Sequence, residues 1–234
     1  MDKIYGRKPV LDSLDSGVKV YRAYIVRQKS KIIDKIISKL KDREVEIDFV
    51  DKGFFDKIDI NHQGVMVEVE SFSYKDLEDL ESYKRLIVLD QIEDPHNLGA
   101  IIRSAEALGF DGVIIPERRS AQVTSTVYKT SAGAINNIDI IRVKNLNRAI
   151  DEIKESGFWV YGLAGEASAP IAGENLTGKV CLVVGNEGKG ISRLTREKCD
   201  VLINIPMKGQ VNSLNASVAS AIAMYEVLRQ NGFS

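Results

Sequence analysis

Short apolar runs alternate with helical patterns over the second part of the chain. Residues 86–89, 113–115 and 180–184 are continuous apolar runs of strand length, and residues 138–143 are a mostly apolar run of similar length. Residues 97–108, 145–156 and 212–229 have the apolar periodicity of helices. Apolar strands that alternate with helices are typical of a parallel sheet covered on both faces. We therefore predict an α/β fold with a parallel sheet for this part of the chain.

A smaller α/β unit is predicted before that sheet. Residues 18–26, 45–50 and 65–69 are predicted strands, and a helix with one apolar stripe is predicted between the first two. Residues 73–84 are mostly polar, with weak periodicity, which indicates a connection between domains. The sequence thus predicts a first domain of residues 1–72, a linker of residues 73–84 and a second domain of residues 85–234.

Composition excludes several classes of protein. Hydrophobic residues make up 44% of the chain and charged residues 28%, as in an ordinary globular protein. Cys181 and Cys199 lack metal-ligand spacing, so we expect neither a disulfide framework nor a metal site. The first residues lack the apolar stretch of a signal peptide, and no apolar run is long enough to span a membrane. We expect a cytoplasmic protein without a membrane partner.

Positive charge is local rather than global. The net charge is -1, but residues 19–43 contain nine Lys or Arg residues against Asp34 and Asp42. Lys31, Lys35 and Lys39 share one stripe of the predicted helix, with Lys29 just before it. A solvated helix face is the usual meaning of such a run. Against the acidic remainder of the chain, however, the excess indicates RNA binding by these four lysines.

The first candidate motif joins the strand at residues 86–89 to the next helix. Asn97 has the residue type of an N-cap, and Arg103 lies six residues later, about 9 Å along the helix axis. Long helical side chains lean toward the N-terminus, so Arg103 is expected to share a pocket with Asn97. A capped helix with a solvated arginine is the alternative, and the residues alone favour it because both features are common.

The second and third motifs are a glycine-rich turn and a polar helix start. Gly185, Gly188 and Gly190 follow a buried strand and allow close approach to a ligand, with Glu187 among them. Asn212, Ser213 and Asn215 crowd the predicted start of the last helix, where one cap would suffice. A solvated tight turn and a capped helix are the alternatives for these two segments.

Two nucleotide-binding signatures are incomplete. Residues 173–179 have the spacing of a P-loop, but Val180 follows in place of Ser or Thr, and a strand is predicted next instead of a helix. No G-x-G-x-x-G follows a predicted strand. A nucleotide-dependent enzyme with a Rossmann sheet is therefore disfavoured.

Taken in order, the motifs D-P-x-N-x-G-x-x-x-R, G-x-E-G-x-G, and I-P-M with S-L-N-x-S resemble the SpoU group of the SPOUT RNA 2'-O-ribose methyltransferases. Ile4-Tyr5-Gly6, His62-Gln63-Gly64-Val65 and Arg119-Ser120-Ala121-Gln122 resemble the RlmB-type 23S rRNA guanosine 2'-O-methyltransferases. The resemblance implies an RNA-binding first domain of L30e/L7Ae-like fold and a second, SPOUT domain with a C-terminal trefoil knot. It also implies a homodimer formed through the knotted domain.

The resemblance implies S-adenosylmethionine as cofactor, held in the knot. The implied cofactor contacts are Gly185, Ile205, Leu214, Leu163, Ala164, Gly165, Asn186, Met207 and Ser213. The implied catalytic residues are Arg103, Asn97, Glu187, Ser213 and Asn215. Asn212 departs from the family pattern, which often has serine there. All five catalytic positions carry the family's residue type, which argues against a non-catalytic RNA-binding protein on the same fold.

The implied reaction is direct methyl transfer to a ribose 2'-hydroxyl, which requires alignment and loss of a proton. Arg103 is the family's residue for proton removal, yet an arginine is almost always protonated. We favour an orienting, phosphate-binding cation over a base with a depressed pKa. Glu187 is expected to anchor Arg103 or Asn97, and Ser213 and Asn215 to position ribose and cofactor. A guanosine of 23S rRNA is the favoured target, and tRNA is the alternative.

Overall fold

The computed structural model describes residues 1–28, 30–56, 61–78, 80–211 and 213–232. Within them the chain forms two compact units. One comprises Met1–Ser73 with Val123–Ala132, and the other comprises Tyr74–Gln122 with Gly133–Ser234. Lys29, one of the predicted RNA-binding lysines, and Asn212 lie outside the described residues.

Eighteen helices and strands are described, together with short 3₁₀ turns. In chain order they are β1 (Asp2–Tyr5), α1 (Arg7–Asp15), β2 (Val20–Val26), α2 (Lys31–Asp42), β3 (Glu46–Val50), β4 (Val65–Val69), β5 (Arg85–Asp90), α3 (Pro95–Ala107), β6 (Gly112–Pro116), α4 (Ser125–Thr130), β7 (Asp139–Val143), α5 (Leu146–Glu155), β8 (Trp159–Leu163), β9 (Ala169–Pro170), β10 (Val180–Gly185), α6 (Arg193–Lys198), β11 (Val201–Asn204) and α7 (Ala216–Asn231).

The first unit is a four-stranded sheet in the order β1-β4-β2-β3, where β2 and β3 are parallel and the other pairs are antiparallel. Helix α2 has its apolar residues at helical spacing, so Ile33, Ile36 and Leu40 are all buried. They join Val10 and Leu14 of α1 and the inward residues of the strands in one core. Burial of this apolar surface holds the helices on the sheet.

The second unit contains the predicted parallel sheet, which is confirmed. Its strand order is β7-β6-β5-β10-β8-β11-β9, and every described pair is parallel. All six residues of β10 are buried, as expected for the centre of a sheet covered on both faces. Helix α7 follows β11 and packs against α3 and β10. In such sheets the carboxyl ends of the strands are where ligand sites form.

Two helix starts differ from the sequence prediction. Helix α3 begins at Pro95, and its cap is Asp94, whose carboxylate accepts a hydrogen bond from the His96 backbone N–H at 2.9 Å. Asn97 is therefore not the cap but a buried residue of the first turn. Proline suits this first position because its missing N–H would be unsatisfied there anyway. Helix α7 begins at Ala216, and Asn215 is its cap.

The unit boundaries also differ from the predicted domains. The segment expected as a linker adds to the second unit, where the Lys75 backbone pairs with Ile141 of β7. Leu77, Leu80 and Tyr83 pack against that unit's core, which explains the difference in terms of apolar burial. Residues 123–132 were expected in the second domain and belong to the first unit. There α4 packs against α1, and Lys129 forms a salt bridge with Asp12 at 2.9 Å.

Strand β8 was not predicted. It contains Gly162, at which an added Cβ would lie 2.8 Å from both Cys199 Sγ and Leu202 Cδ2. This close packing requires glycine, and glycine weakens the apolar pattern by which buried strands are recognised.

Candidate active site

The first wall of the site follows β5. Asp90 at its end is buried, and its carboxylate accepts a hydrogen bond from the Ser192 backbone N–H at 2.7 Å. The backbone then turns through Gln91, which has a φ of 61°. This turn leads into α3 and places Asn97 in the first helical turn, 9% exposed. A buried amide must be hydrogen-bonded, so the partners of Asn97 define the site.

The second wall is the glycine loop after β10. A Cβ added to Gly185 would lie 2.1 Å from the Gly190 carbonyl carbon, so the two ends of the loop approach as only glycine allows. Asn186 fixes the loop from both ends of its amide. Its Nδ2 donates to the Gln91 carbonyl at 3.2 Å, and its Oδ1 accepts from the Gly188 N–H at 2.9 Å. The turn after β5 and the loop after β10 are thereby joined.

A chain of polar side chains crosses from the glycine loop to α7. The Asn97 Nδ2 donates to Glu187 Oε1. The Asn97 Oδ1 accepts from Asn215 Nδ2 at 3.0 Å, and the Asn215 Oδ1 caps α7 by accepting from the Ser217 N–H at 2.9 Å. Three of the five predicted catalytic residues are thus directly connected, with Asn97 in the middle.

These walls enclose a cavity of about 130 Å³. All nine predicted cofactor contacts line it: Leu163, Ala164, Gly165, Gly185, Asn186, Ile205, Met207, Ser213 and Leu214. Two predicted catalytic residues, Glu187 and Ser213, line it as well. The lining also includes residues that were not among the predicted cofactor contacts or catalytic residues, namely Val184, Gly190, Ile203, Asn204, Ala216 and Ala219. Strand β11 and the start of α7 supply four of these six, and only the pairing of β11 and the packing of α7 reveal them.

The cavity lining fits S-adenosylmethionine. Small residues such as Gly165, Gly185 and Ala216 leave room for a ligand, and Leu163 and Leu214 are suited to the face of an adenine. Glu187 is the only charged group among the described lining residues, so the cavity suits a ligand with positive charge. A sulfonium carries such a charge.

Arg103 is placed differently from the other four catalytic candidates. It lies on α3 but is exposed, and it does not line the cavity. Six helical residues turn the chain by about 240°, so its side chain leaves α3 on another face than that of Asn97. In the described part of the chain the Arg103 side chain forms no hydrogen bond or ion pair. Glu187 is hydrogen-bonded to Asn97 instead.

The predicted RNA-binding lysines lie on α2 of the first unit. Lys31 and Lys35 are exposed. The Lys39 Nζ forms a salt bridge with Asp15 Oδ1 of α1 at 2.8 Å. The hydrogen bond from Lys39 holds the pKa of Asp15 below its usual value. Of the three described lysines, two are therefore free for an external anion, and the charge of the third is compensated within the unit.

The described residues contain no group of three or more His, Cys, Asp or Glu residues that could hold a metal ion. None of their helices is long and apolar enough to cross a membrane.

Comparison with known proteins identifies relatives over the full length of the chain. Residues 84–225 match the SpoU rRNA methylase family, and residues 3–75 match the RNA 2'-O ribose methyltransferase substrate-binding domain. An uncharacterized tRNA/rRNA methyltransferase of Synechocystis is 41% identical over 100% of this chain, which spans 64% of that relative. A Bacillus subtilis protein whose name places it in the TrmH family of tRNA/rRNA methyltransferases is 41% identical over 98% of this chain and 96% of its own length.

A solved structure agrees with these relatives. The AdoMet-bound rRNA methyltransferase from Sinorhizobium meliloti is similar at a TM-score of 0.65 and 26% identity, over 97% of this chain and 86% of its own. Its fold thus spans both the small unit and the parallel sheet described above. With the family match covering residues 84–225 and relatives 41% identical, the chain belongs to the SpoU rRNA methylase family.

Proposed function

We propose that this methyltransferase modifies the ribose 2'-hydroxyl of a guanosine in 23S rRNA, as the RlmB-type enzymes do. As a member of its family, the chain is an RNA methyltransferase, and S-adenosylmethionine is its cofactor. The observation that supports the proposal is the polar chain from Glu187 through Asn97 to Asn215, beside a cavity suited to that cofactor. The front-domain motifs at residues 4–6 and 62–65 favour 23S rRNA over tRNA.

The polar chain is suited to hold a reacting hydroxyl in place. S-adenosylmethionine, when bound, supplies a methyl carbon activated by the adjacent sulfonium. Asn97 fixes the orientation of the Glu187 carboxylate by donating to it, and Asn215 fixes Asn97 in turn. Ser213, which lines the same cavity, is placed to donate to or accept from the ribose. Such pre-orientation is the main way in which a protein accelerates a direct displacement.

Arg103 completes the proposed site from the exposed side of α3. Because its charge is uncompensated within the described residues, it is available to a phosphate of the RNA next to the reacting nucleotide. It orients the nucleotide and stabilises the negative charge that develops on the 2'-oxygen. The proton of that hydroxyl leaves to solvent, since an arginine does not readily give up its own.

The proposed partner arrangement is a homodimer formed through the second unit. Val218, Ile222 and Tyr225 of α7 lie at helical spacing and are 46%, 40% and 51% exposed. Such a stripe on a helix is typical of a protein interface. Lys31 and Lys35 of the first unit are proposed to contact RNA phosphates. The connectivity around β11 and α7 is proposed to form the family's trefoil knot.

The test is to map 2'-O-methylation in ribosomal and transfer RNA from cells with and without the gene. Loss of one guanosine methylation in 23S rRNA is expected. Restoration by the wild-type gene, but not by a variant in which Asn97 is replaced by alanine, assigns that methylation to the polar chain. Loss of a methylation in tRNA alone would assign the enzyme to the alternative target.

A further inference from the structure

Two sequence motifs of the first unit lie together although the methyl-transfer site does not use them. The Gly6 N–H donates to the Val65 carbonyl at 3.1 Å, and the Arg7 N–H donates to Gln63 Oε1 at 3.1 Å. The segments around residues 4–6 and 62–65 are therefore hydrogen-bonded to each other. A cleft of about 750 Å³ opens beside them. Its described lining residues include Arg7, Lys8, Gln28, Lys52, Asp56 and His62.

Arg7 is fixed in this cleft by neutral partners. Its Nε donates to the Gln63 carbonyl at 3.1 Å, and its two terminal nitrogens donate to Ser30 Oγ at 3.3 Å and Gln28 Oε1 at 2.9 Å. No acidic group among the described residues pairs with it. The guanidinium is thus held in one orientation while its charge stays uncompensated, as expected of a group that awaits an anion.

The rest of the cleft strengthens this positive potential. Lys8 and Lys52 are exposed, and neither forms an ion pair within the described chain. Asp56 is the one acid among the described lining residues. Helices α1 and α2 begin here, at Arg7 and Lys31, and neither N-cap residue, Gly6 or Ser30, forms a side-chain hydrogen bond to its helix. The positive ends of two helix dipoles therefore add to the three cations.

A hydrogen-bond donor is also positioned in the cleft. His62 Nδ1 accepts from the Gly64 N–H at 3.0 Å, so the neutral ring carries its proton on Nε2. The ring stacks on Phe55 at 4.4 Å, which fixes its plane. Gly64 has a φ of 75°, and an added Cβ would lie 2.5 Å from Gln28 Nε2. The positive φ favours glycine at this position, beside the Gln28 side chain that holds Arg7.

We propose that this cleft binds the sugar–phosphate backbone of the RNA substrate, with Arg7, Lys8 and Lys52 on phosphates and His62 donating to a phosphate or ribose oxygen. The inference rests on the proposed function, because it names the surface of the first unit that would engage the RNA. It is separate from the lysines of the α2 stripe, since neither Lys31 nor Lys35 lines the cleft.

The test is RNA binding by the full-length protein carrying Lys8→Glu and Lys52→Glu together. The probe is a fluorescein-labelled stem–loop transcript, titrated at several salt concentrations. We expect an affinity loss of about tenfold or more, and a salt slope lower by about 1.5, because two phosphate contacts are lost. The pair Lys8→Gln and Lys52→Gln should weaken binding less, in the same direction. Unchanged affinity and slope in both pairs would overturn the proposal.

Lys41→Glu is the matched control. Lys41 is exposed near the other end of α2, about 15 Å along the axis from Lys31, and it does not line the cleft. It should reduce affinity much less, and a loss of binding free energy equal to half that of the pair would mean that only net charge matters, which also overturns the proposal. Inorganic phosphate at constant ionic strength should not displace the RNA. Displacement at millimolar phosphate would instead identify a site for a free anion.

Calorimetric titration with S-adenosylmethionine separates this proposal from the proposed function. The charge-reversed pair should bind the cofactor as wild type does, because its substitutions lie in the first unit and all cavity residues lie in the second. If wild type binds the stem–loop through the cleft but methylates neither 23S rRNA nor tRNA, the proposed function fails and the cleft assignment stands.

Discussion

At the scale of single residues, the side-chain amide of Asn97 orients both Glu187 and Asn215. Its donor end meets Glu187 and its acceptor end meets Asn215, so both ends are satisfied and the orientation is fixed. An aspartate could not donate to Glu187, and an alanine would leave the carboxylate without this partner. The residue type of Asn97 is thus dictated by its two neighbours rather than by helix capping, which Asp94 performs.

Arg103→Ala tests the proposed role of the exposed arginine. Methyl transfer should fall by about 100- to 1000-fold, because an orienting, charge-stabilising group is lost. Binding of S-adenosylmethionine should stay near wild type, since Arg103 does not line the cavity. Single-turnover methylation and calorimetry measure the two effects. Arg103→Lys should restore little, because the planar fork is lost.

Arg148→Ala is the control for that experiment. Arg148 is an exposed arginine of α5, where it pairs with Glu152, and its removal should leave transfer unchanged. In the wild-type enzyme, the rate of methyl transfer should rise with pH, because the ribose 2'-hydroxyl ionises more readily. A plateau that disappears in Arg103→Lys would indicate a base instead. Full activity in Arg103→Ala would remove Arg103 from the site.

The glycine loop after β10 sets the shape of the site at the scale of elements. Gly185→Ala should weaken or abolish cofactor binding and lower stability by about 1 to 3 kcal/mol, because the added methyl overlaps the Gly190 backbone. Gly188→Ala is the matched control in the same loop. Its nearest neighbour would be Asn186 Oδ1 at 3.5 Å, an ordinary contact. Thermal melts and cofactor titration compare the two, and equal behaviour would contradict the crowding argument.

The sequence predicts the strands and the site residue types better than it predicts which face of a helix carries a given side chain. Most strands of the parallel sheet follow from apolar runs, whereas the members of the polar chain were predicted only through the family resemblance. The helix face that carries Arg103 was predicted wrongly. The prediction considered that long side chains point toward the helix N-terminus, but not that six residues rotate the chain by about 240° around the helix axis. Ala216 and Ala219 were missed in the cavity because alanine carries no chemical signal, and only the packing of α7 gives it a role.

The apolar stripe on α7 bears on assembly at the scale of the whole molecule. Ile222→Glu should convert the proposed dimer into a monomer, because a charge would be buried in the interface. Light scattering should then give about the chain mass of 25.9 kDa, against about twice that for wild type. Leu194→Glu changes an apolar residue outside α7 that is even more exposed than Ile222 and should leave the mass unchanged. A monomeric wild type would contradict the dimer.

The membership of residues 123–132 in the first unit has a consequence for how the protein is made. The core of the first unit takes in Tyr128, and the Lys129 salt bridge to Asp12 joins positions 117 residues apart. During translation, the N-terminal sheet can therefore not complete its packing when residue 73 leaves the ribosome. It has to wait until β5, α3 and β6 have also been synthesised. A ribosome stalled at residue 100 would present a small unit that still lacks α4.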